Sequence, residues 1–329
     1  MRENKCDMKI KKIAILDGFT SVRDDLDWHS LDAIAEVSAY DRTPPALVLE
    51  RCADADAVLT NKVVLNAEHF AKLPNLKYVG VLATGYNNVD LKAARERGID
   101  ITNIPAYSTD SVAQSVFAHI LNIAEMTELH AQSVCRGEWT SSKDVFFCLG
   151  SLTELAGLTI GIIGYGAIGK AVARIAKAFG MSALAYTPRL KVGDSDANAT
   201  FASLDDIFGK SDIVSLNCPL NASTDRIINA ENIAKMKDGA WIINTGRGGL
   251  VDEQALADAL KSGKIGAAGV DVLSVEPPPS SNPLIGAPNC RITPHTAWTK
   301  FAARKRLIKI ARDNLAAWVA GKPVNVVNP

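Results

Sequence analysis

The sequence predicts an α/β protein built from two doubly wound, parallel-sheet domains. Short β-rich apolar runs alternate with amphipathic helical segments from Lys11 onward, the pattern of strand-helix-strand units. The alternation comes in two series parted by one long helical pattern, and 329 residues exceed what one ordinary core accommodates.

In the first series the expected strands are Ile13 to Leu16, Glu36 to Tyr40, Ala57 to Thr60, Tyr78 to Leu82 and Ile99 to Thr102. Leu91 to Arg97 reads as a helix stopped by Gly98. The second series opens near Thr159, with strands at Ile160 to Ile163, Ser182 to Tyr186, Ile213 to Asn217, Trp241 to Asn244, Ala267 to Val270 and Arg291 to Thr293. Their near-continuous apolar character suits a sheet covered on both faces. Between the series, Ser111 to Val134 reads as one helix, with Ser111 and Gln114 spaced as a capping box and Val116, Ile120 and Ile123 on one face. A last helix, Phe301 to Ala320, ends before Gly321 and Pro323 and has the length to return to the first domain. The expected division is therefore residues 1–104 with 300–329 as one domain and 105–299 as the other.

Charge excludes some partners. Thirty-six basic side chains balance 36 acidic ones, so no long-range field gathers nucleic acid or an anionic membrane surface. Arg304, Lys305, Arg306, Lys309 and Arg312 alternate with apolar residues at helical spacing and read as a solvated helix face. The six cysteines, Cys6, Cys52, Cys135, Cys148, Cys218 and Cys290, are scattered, with no spacing suited to zinc; reduced thiols and no metal are expected. The charged N-terminus and the lack of a long apolar run lead to the expectation of a cytoplasmic protein.

The segment TIGIIGYGAIGKAVARIAKAFG sets Gly164, Gly166 and Gly169 directly after an apolar strand and at the start of a helical pattern. In that context G-x-G-x-x-G is a strong dinucleotide signal. Gly164 permits the tight turn, Gly166 lets backbone N–H groups approach a pyrophosphate, Gly169 lets helix and strand pack closely, and Ala167 and Ile168 open the helix whose N-terminus faces the anion. At the end of the next strand an acidic residue normally receives the adenosine ribose of NAD. Thr187 stands there instead, with Arg189 and Lys191 just beyond, able to meet a 2′-phosphate or to be plain exposed cations. The expectation is NAD(P), with NADP accepted and NAD open.

Three later segments, IINTGRGGLVDEQAL, GVDVLSVEPPP and RITPHTAW, resemble the D-isomer-specific 2-hydroxyacid dehydrogenases, and the likeness runs from the first strand to the last helix. With LATGYNNVD and NIPAYS, the H-T-A-W run is most similar to the glycerate dehydrogenase (hydroxypyruvate reductase) branch. The resemblance implies a Rossmann-type cofactor domain inserted into a flavodoxin-like substrate domain, a homodimer, and reduction of a small 2-oxo acid, with hydroxypyruvate or glyoxylate foremost. It also implies His295 as general acid, Glu276 as its partner, Arg247 as the cation on the substrate, Thr84 and Gly85 as backbone contacts to the substrate carboxylate, and Thr245 and Asp271 on the cofactor side.

The chemistry suits those residue types. A ketone that gains a hydride needs a proton donor titrating near neutrality, which histidine supplies. A buried carboxylate beside the imidazole fixes its tautomer and favours the imidazolium, and a guanidinium fork grips a carboxylate while polarising the neighbouring carbonyl. In isolation His295 could be a strand-end histidine bonded to backbone, and Arg247 and Glu276 could be loop residues. His29, His69, His119 and His130 lie in helical patterns, where a surface or core role is expected. Gln114 stands where the family commonly has V-A-E, which leaves its role open, and Leu82, Trp298 and a residue from the 139–150 arm of the other subunit are candidates for the pocket wall. D-lactate or another D-2-hydroxy acid remains an alternative substrate, and a nucleotide-sensing, corepressor-like binding protein remains an alternative of another class.

Overall fold

The computed structural model describes residues 10–329, so Cys6 lies outside the described residues. The chain divides into two compact units, Met1–Ser108 with Thr299–Pro329, and Thr109–Trp298.

The first unit holds β1 (Lys12–Ile15), β2 (Glu36–Ala39), α1 (Val48–Cys52), β3 (Ala57–Thr60), α2 (Ala67–Lys72), β4 (Tyr78–Val81), α3 (Leu91–Glu96) and β5 (Asp100–Thr102). Its five strands are parallel in the order β2-β1-β3-β4-β5, the flavodoxin-like arrangement. All four residues of β3 and of β4 are buried, as a sheet covered on both faces requires.

The helix α10 (Phe301–Val319) completes this unit. Trp318 is almost fully buried, its ring 5.2 Å from that of Tyr78 and its indole N–H donating to Asp100 Oδ2 at 2.8 Å. Truncating such a tryptophan costs about 3–5 kcal/mol, so the chain's end is integral to the unit. The expected solvated basic face is corrected at Arg304, which is 3 % exposed and donates to Ser21 O, Val22 O, Thr299 O and the Asp25 carboxylate. Helical spacing does not register a neighbour 279 residues away.

The second unit contains α4 (Thr109–Glu125), α5 (Thr127–Cys135), β6 (Thr159–Ile163), α6 (Ala167–Ala178), β7 (Ser182–Tyr186), β8 (Thr200–Phe201), α7 (Leu204–Lys210), β9 (Ile213–Leu216), α8 (Ala230–Lys235), β10 (Ala240–Asn244), α9 (Glu253–Ser262), β11 (Ile265–Val270) and β12 (Cys290–Ile292). The seven strands run in the order β12-β11-β10-β9-β6-β7-β8, all parallel. Order reverses between β6 and β9, the switch point where an open α/β sheet has its crevice.

Two expectations fail locally. The single helix over 111–134 is two helices, broken at Met126, whose φ of 46° is left-handed. Helix α4 begins at Thr109, so Ser111 sits buried within its first turn rather than capping it. The edge strand β8 went unforeseen because two residues give no periodicity to read.

Candidate functional site

Two of the three glycines of the β6–α6 turn stand where a larger residue could not. Gly164 has φ +98°, and a Cβ there would lie 2.5–2.6 Å from the backbone of Asn217 and Cys218 at the end of β9. A Cβ on Gly169 would lie 2.2 Å from Gly164 O, so helix and strand meet backbone to backbone. Gly166, the N-cap of α6, has nothing within 4 Å of its Cβ position, which leaves open space over the first turn at Ala167 and Ile168. Two side-chain atoms nearby are buried without a partner, Asn217 Oδ1 and Thr245 Oγ1, at the ends of β9 and β10. Buried polar atoms ordinarily find partners. A bare helix N-terminus with orphaned acceptors and donors along the same sheet edge fits a dinucleotide. Asn217 and Cys218 escaped sequence reasoning, since nothing in their local pattern distinguishes them from other strand ends.

Past β7, Thr187 is half-buried in a turn where Leu190 N–H donates to its carbonyl, while Arg189 and Lys191 are exposed. The loop that follows is tied down by Asp196, which receives the Tyr165 hydroxyl at 2.9 Å and the N–H of Asn198 at 2.8 Å. The Asn198 N–H and the Tyr165 hydroxyl, beside the N–H of Ala199, hold the Asp196 carboxyl below the usual range despite desolvation.

Arg247, Glu276 and His295 follow the adjacent strands β10, β11 and β12, at the carboxyl end of one sheet. The buried Asn244 side chain shapes the Arg247 turn: its Oδ1 accepts from Gly246 N–H at 3.0 Å and its Nδ2 donates to Arg247 O at 2.9 Å. The guanidinium is exposed and gives Nη1 to Gly246 O at 2.8 Å, with no ion pair among the described residues. At Gly248 a Cβ would stand 1.9 Å from Leu273 C, so the Arg247 turn lies flush against the segment leading to Glu276.

His295 Nδ1 lies 2.6 Å from Glu276 Oε2, and Glu276 Oε1 accepts from Leu273 N–H at 3.1 Å. A carboxylate acceptor places the proton on Nδ1 and leaves Nε2 for exchange with a ligand. The expected buried carboxylate is corrected: the Glu276 side chain is 34 % exposed and that of His295 26 %, because both sit on loops beyond the strands. His295 has φ 54°, a backbone state that costs a non-glycine residue about 1–3 kcal/mol unless its surroundings enforce it.

Asp271 supplies that enforcement. Only 2 % exposed, it accepts Thr293 Oγ1–H at 2.6 Å and Thr296 N–H at 2.8 Å on Oδ1 and Ala297 N–H at 2.9 Å on Oδ2, while its carbonyl receives His295 N–H at 2.8 Å. Its carboxylate therefore braces the His295 turn.

Thr84 and Gly85 belong to the other unit, after β4. Thr84 Oγ1 donates to Ile104 O at 2.9 Å and Thr84 O receives Asn103 Nδ2 at 2.8 Å, which fixes the loop. Leu82 is fully buried within that unit, whereas Trp298 is half-buried and Trp139, Val145 and Phe146 are exposed. Gln114 is exposed on α4.

Residues 117–297 match the model of the D-isomer specific 2-hydroxyacid dehydrogenase, NAD binding domain, and these residues all fall in the second unit. The chain belongs to this family of oxidoreductases. It is 48% identical over 320 residues to the hydroxypyruvate reductase of Blautia hydrogenotrophica, covering 96% of this chain and 99% of that one. To the glycerate dehydrogenase of Methylorubrum extorquens it is 41% identical over 312 residues, 92% of this chain and 97% of that one. Among solved structures, an NADPH-dependent glyoxylate/hydroxypyruvate reductase from Sinorhizobium meliloti in complex with NADP and malonate superposes with a TM-score of 0.82 at 29% identity, over 96% of each chain.

Proposed function

We propose that this protein reduces a small 2-oxo acid, hydroxypyruvate or glyoxylate foremost, to the corresponding D-2-hydroxy acid with NAD(P)H. The observation that carries this reading is the 2.6 Å His295–Glu276 pair beside Arg247 on one sheet edge. A nicotinamide dinucleotide, its pyrophosphate held by the β6–α6 turn, would supply the hydride. His295 donates its Nε2 proton to the substrate oxygen, and Glu276 holds Nδ1 and balances the imidazolium charge. Arg247 pairs with the substrate carboxylate. The N–H groups of Thr84 and Gly85, which meet no acceptor among the described residues, suit a carboxylate, and the first unit is read as the substrate domain and the second as the cofactor domain.

Three finer points belong to the same proposal. Arg189, exposed and unpaired among the described residues beyond Thr187, favours acceptance of NADP. The exposed Trp139, Val145 and Phe146 form an apolar surface suited to a second copy of the chain, so the protein is read as a homodimer. Cys52, Cys135, Cys148, Cys218 and Cys290 are free thiols, in keeping with a reducing, cytoplasmic setting.

The test is a panel of 2-oxo acids followed by nicotinamide absorbance, with NADH and NADPH in parallel. Turnover of hydroxypyruvate or glyoxylate to the D-product, with NADPH used, is expected. Best turnover of pyruvate would move the substrate to lactate, and no turnover of any 2-oxo acid would overturn the reading.

A further inference from the structure

His119 is a buried histidine, 7 % exposed, on the face of α4 that packs against β10 and β11. It stands outside the Arg247, Glu276 and His295 set, yet it is joined to it. Its Nε2 lies 3.2 Å from Thr293 Oγ1, and that hydroxyl donates to Asp271 Oδ1 at 2.6 Å. A threonine hydroxyl has a single O–H to give and lone pairs to receive. With that proton committed to Asp271, the contact with His119 is satisfied only if Nε2–H is the donor. A directed chain results, from His119 to Thr293 to Asp271, and Asp271 holds the backbone N–H groups of His295, Thr296 and Ala297. The strand leaves room for the ring: a Cβ on Gly269 would fall 2.6 Å from His119 Cβ.

Resting on the dehydrogenase reading above, we propose that His119 is a positioning residue for His295. By donating to Thr293 it orients the hydroxyl that meets Asp271, and so fixes the left-handed turn from which His295 reaches Glu276. An apolar residue of similar volume would fill the space but leave the Thr293 hydroxyl free to rotate away from Asp271.

The test compares His119→Leu with His119→Gln, whose side-chain amide N–H can replace Nε2–H, and Thr293→Val with Thr293→Ser. The readouts are kcat and KM for the best 2-oxo acid, the melting temperature, and the downfield imidazole proton resonance of the His295–Glu276 hydrogen bond, assigned by its absence in His295→Gln. His119→Leu and Thr293→Val are expected to lower kcat about tenfold with KM within about twofold, the size that a sub-ångström displacement of a proton donor allows, and to broaden or abolish the resonance. His119→Gln and Thr293→Ser are expected to keep both. Folded Leu and Val variants with wild-type kcat and an intact resonance would overturn the proposal, as would equal loss in the conservative pair. If His119→Leu does not fold, the Thr293 pair decides by the same criteria. Should the wild type turn over no 2-oxo acid, the dehydrogenase reading falls while the resonance still decides the positioning role.

Discussion

Gly248→Ala puts the assembly of the site under direct test. A Cβ at residue 248 would stand 1.9 Å from Leu273 C, 2.1 Å from Leu273 O and 2.2 Å from Ser274 N, where ordinary contact begins near 3.4 Å. The obstacle is backbone on both sides, so no rotamer relieves it. The Arg247 turn and the segment leading to Glu276 must part by 1.5 Å, the difference between those two distances. Overpacking of this kind costs about 1–3 kcal/mol of stability, which a domain of this size survives. Its kinetic effect is larger, since a misplacement of about 1 Å in a catalytic constellation costs on the order of a hundredfold. We expect kcat/KM for the best 2-oxo acid to fall at least about a hundredfold, with NADH binding by fluorescence nearly unchanged. Gly249→Ala is the control, because the close contact of its Cβ would be with the movable tip of Leu220 at 2.9 Å, with Asp225 Oδ1 at an ordinary 3.7 Å, and it should stay within a few-fold of wild type. A folded Gly248→Ala protein with wild-type kcat/KM would refute the claim that close approach of these two segments sets the Arg247 and Glu276 geometry.

The remaining predictions address single residues. His295→Gln should lower kcat at least about a hundredfold, as expected for loss of a general acid, while cofactor binding persists; turnover at the wild-type rate would remove His295 from the chemistry. Arg189→Ala should weaken NADPH about tenfold or more and leave NADH nearly unaffected, and Thr187→Asp should turn preference toward NADH by accepting from the ribose and repelling a 2′-phosphate. Equal effects of Arg189→Ala on both cofactors would show that Arg189 faces solvent. Asp25→Asn should lower the melting temperature at pH 7, because the Arg304 guanidinium holds the Asp25 carboxyl below its ordinary 3.8. A depressed carboxyl contributes stability above its unfolded value and loses it as pH falls through its folded one. The gap between variant and wild type should therefore close below pH 3.8, and a gap persisting there would mean that the pair acts through packing alone.

What the sequence determined by itself is whatever depends on short spacings. The strand cores Ala57 to Thr60 and Ser182 to Tyr186 coincide with β3 and β7 to the residue; β3 is buried along its whole length, as a parallel strand covered on both faces must be, whereas β7 is fully buried only at Ala185. Gly164 and Gly169 were legible with their separate tasks, since the tight turn and the close packing each exclude a side chain at a fixed offset. The residues at 247, 276 and 295 were legible through their flanking segments, and the sheet order sets their loops on one edge. Tertiary structure alone decided the supports. His119 sits in an apolar stretch with no local mark of function, and Asp271, expected on the cofactor side, braces the His295 turn; the partners of both lie far along the chain, at Thr293, Thr296 and Ala297. The burial of Arg304 depends on Asp25 at the far end of the chain, and the Met126 break interrupts a helical pattern whose apolar spacing continues on either side. Periodicity reports which face of an element is apolar, whereas a hydrogen bond between distant segments exists only once the chain has closed the loop that joins them.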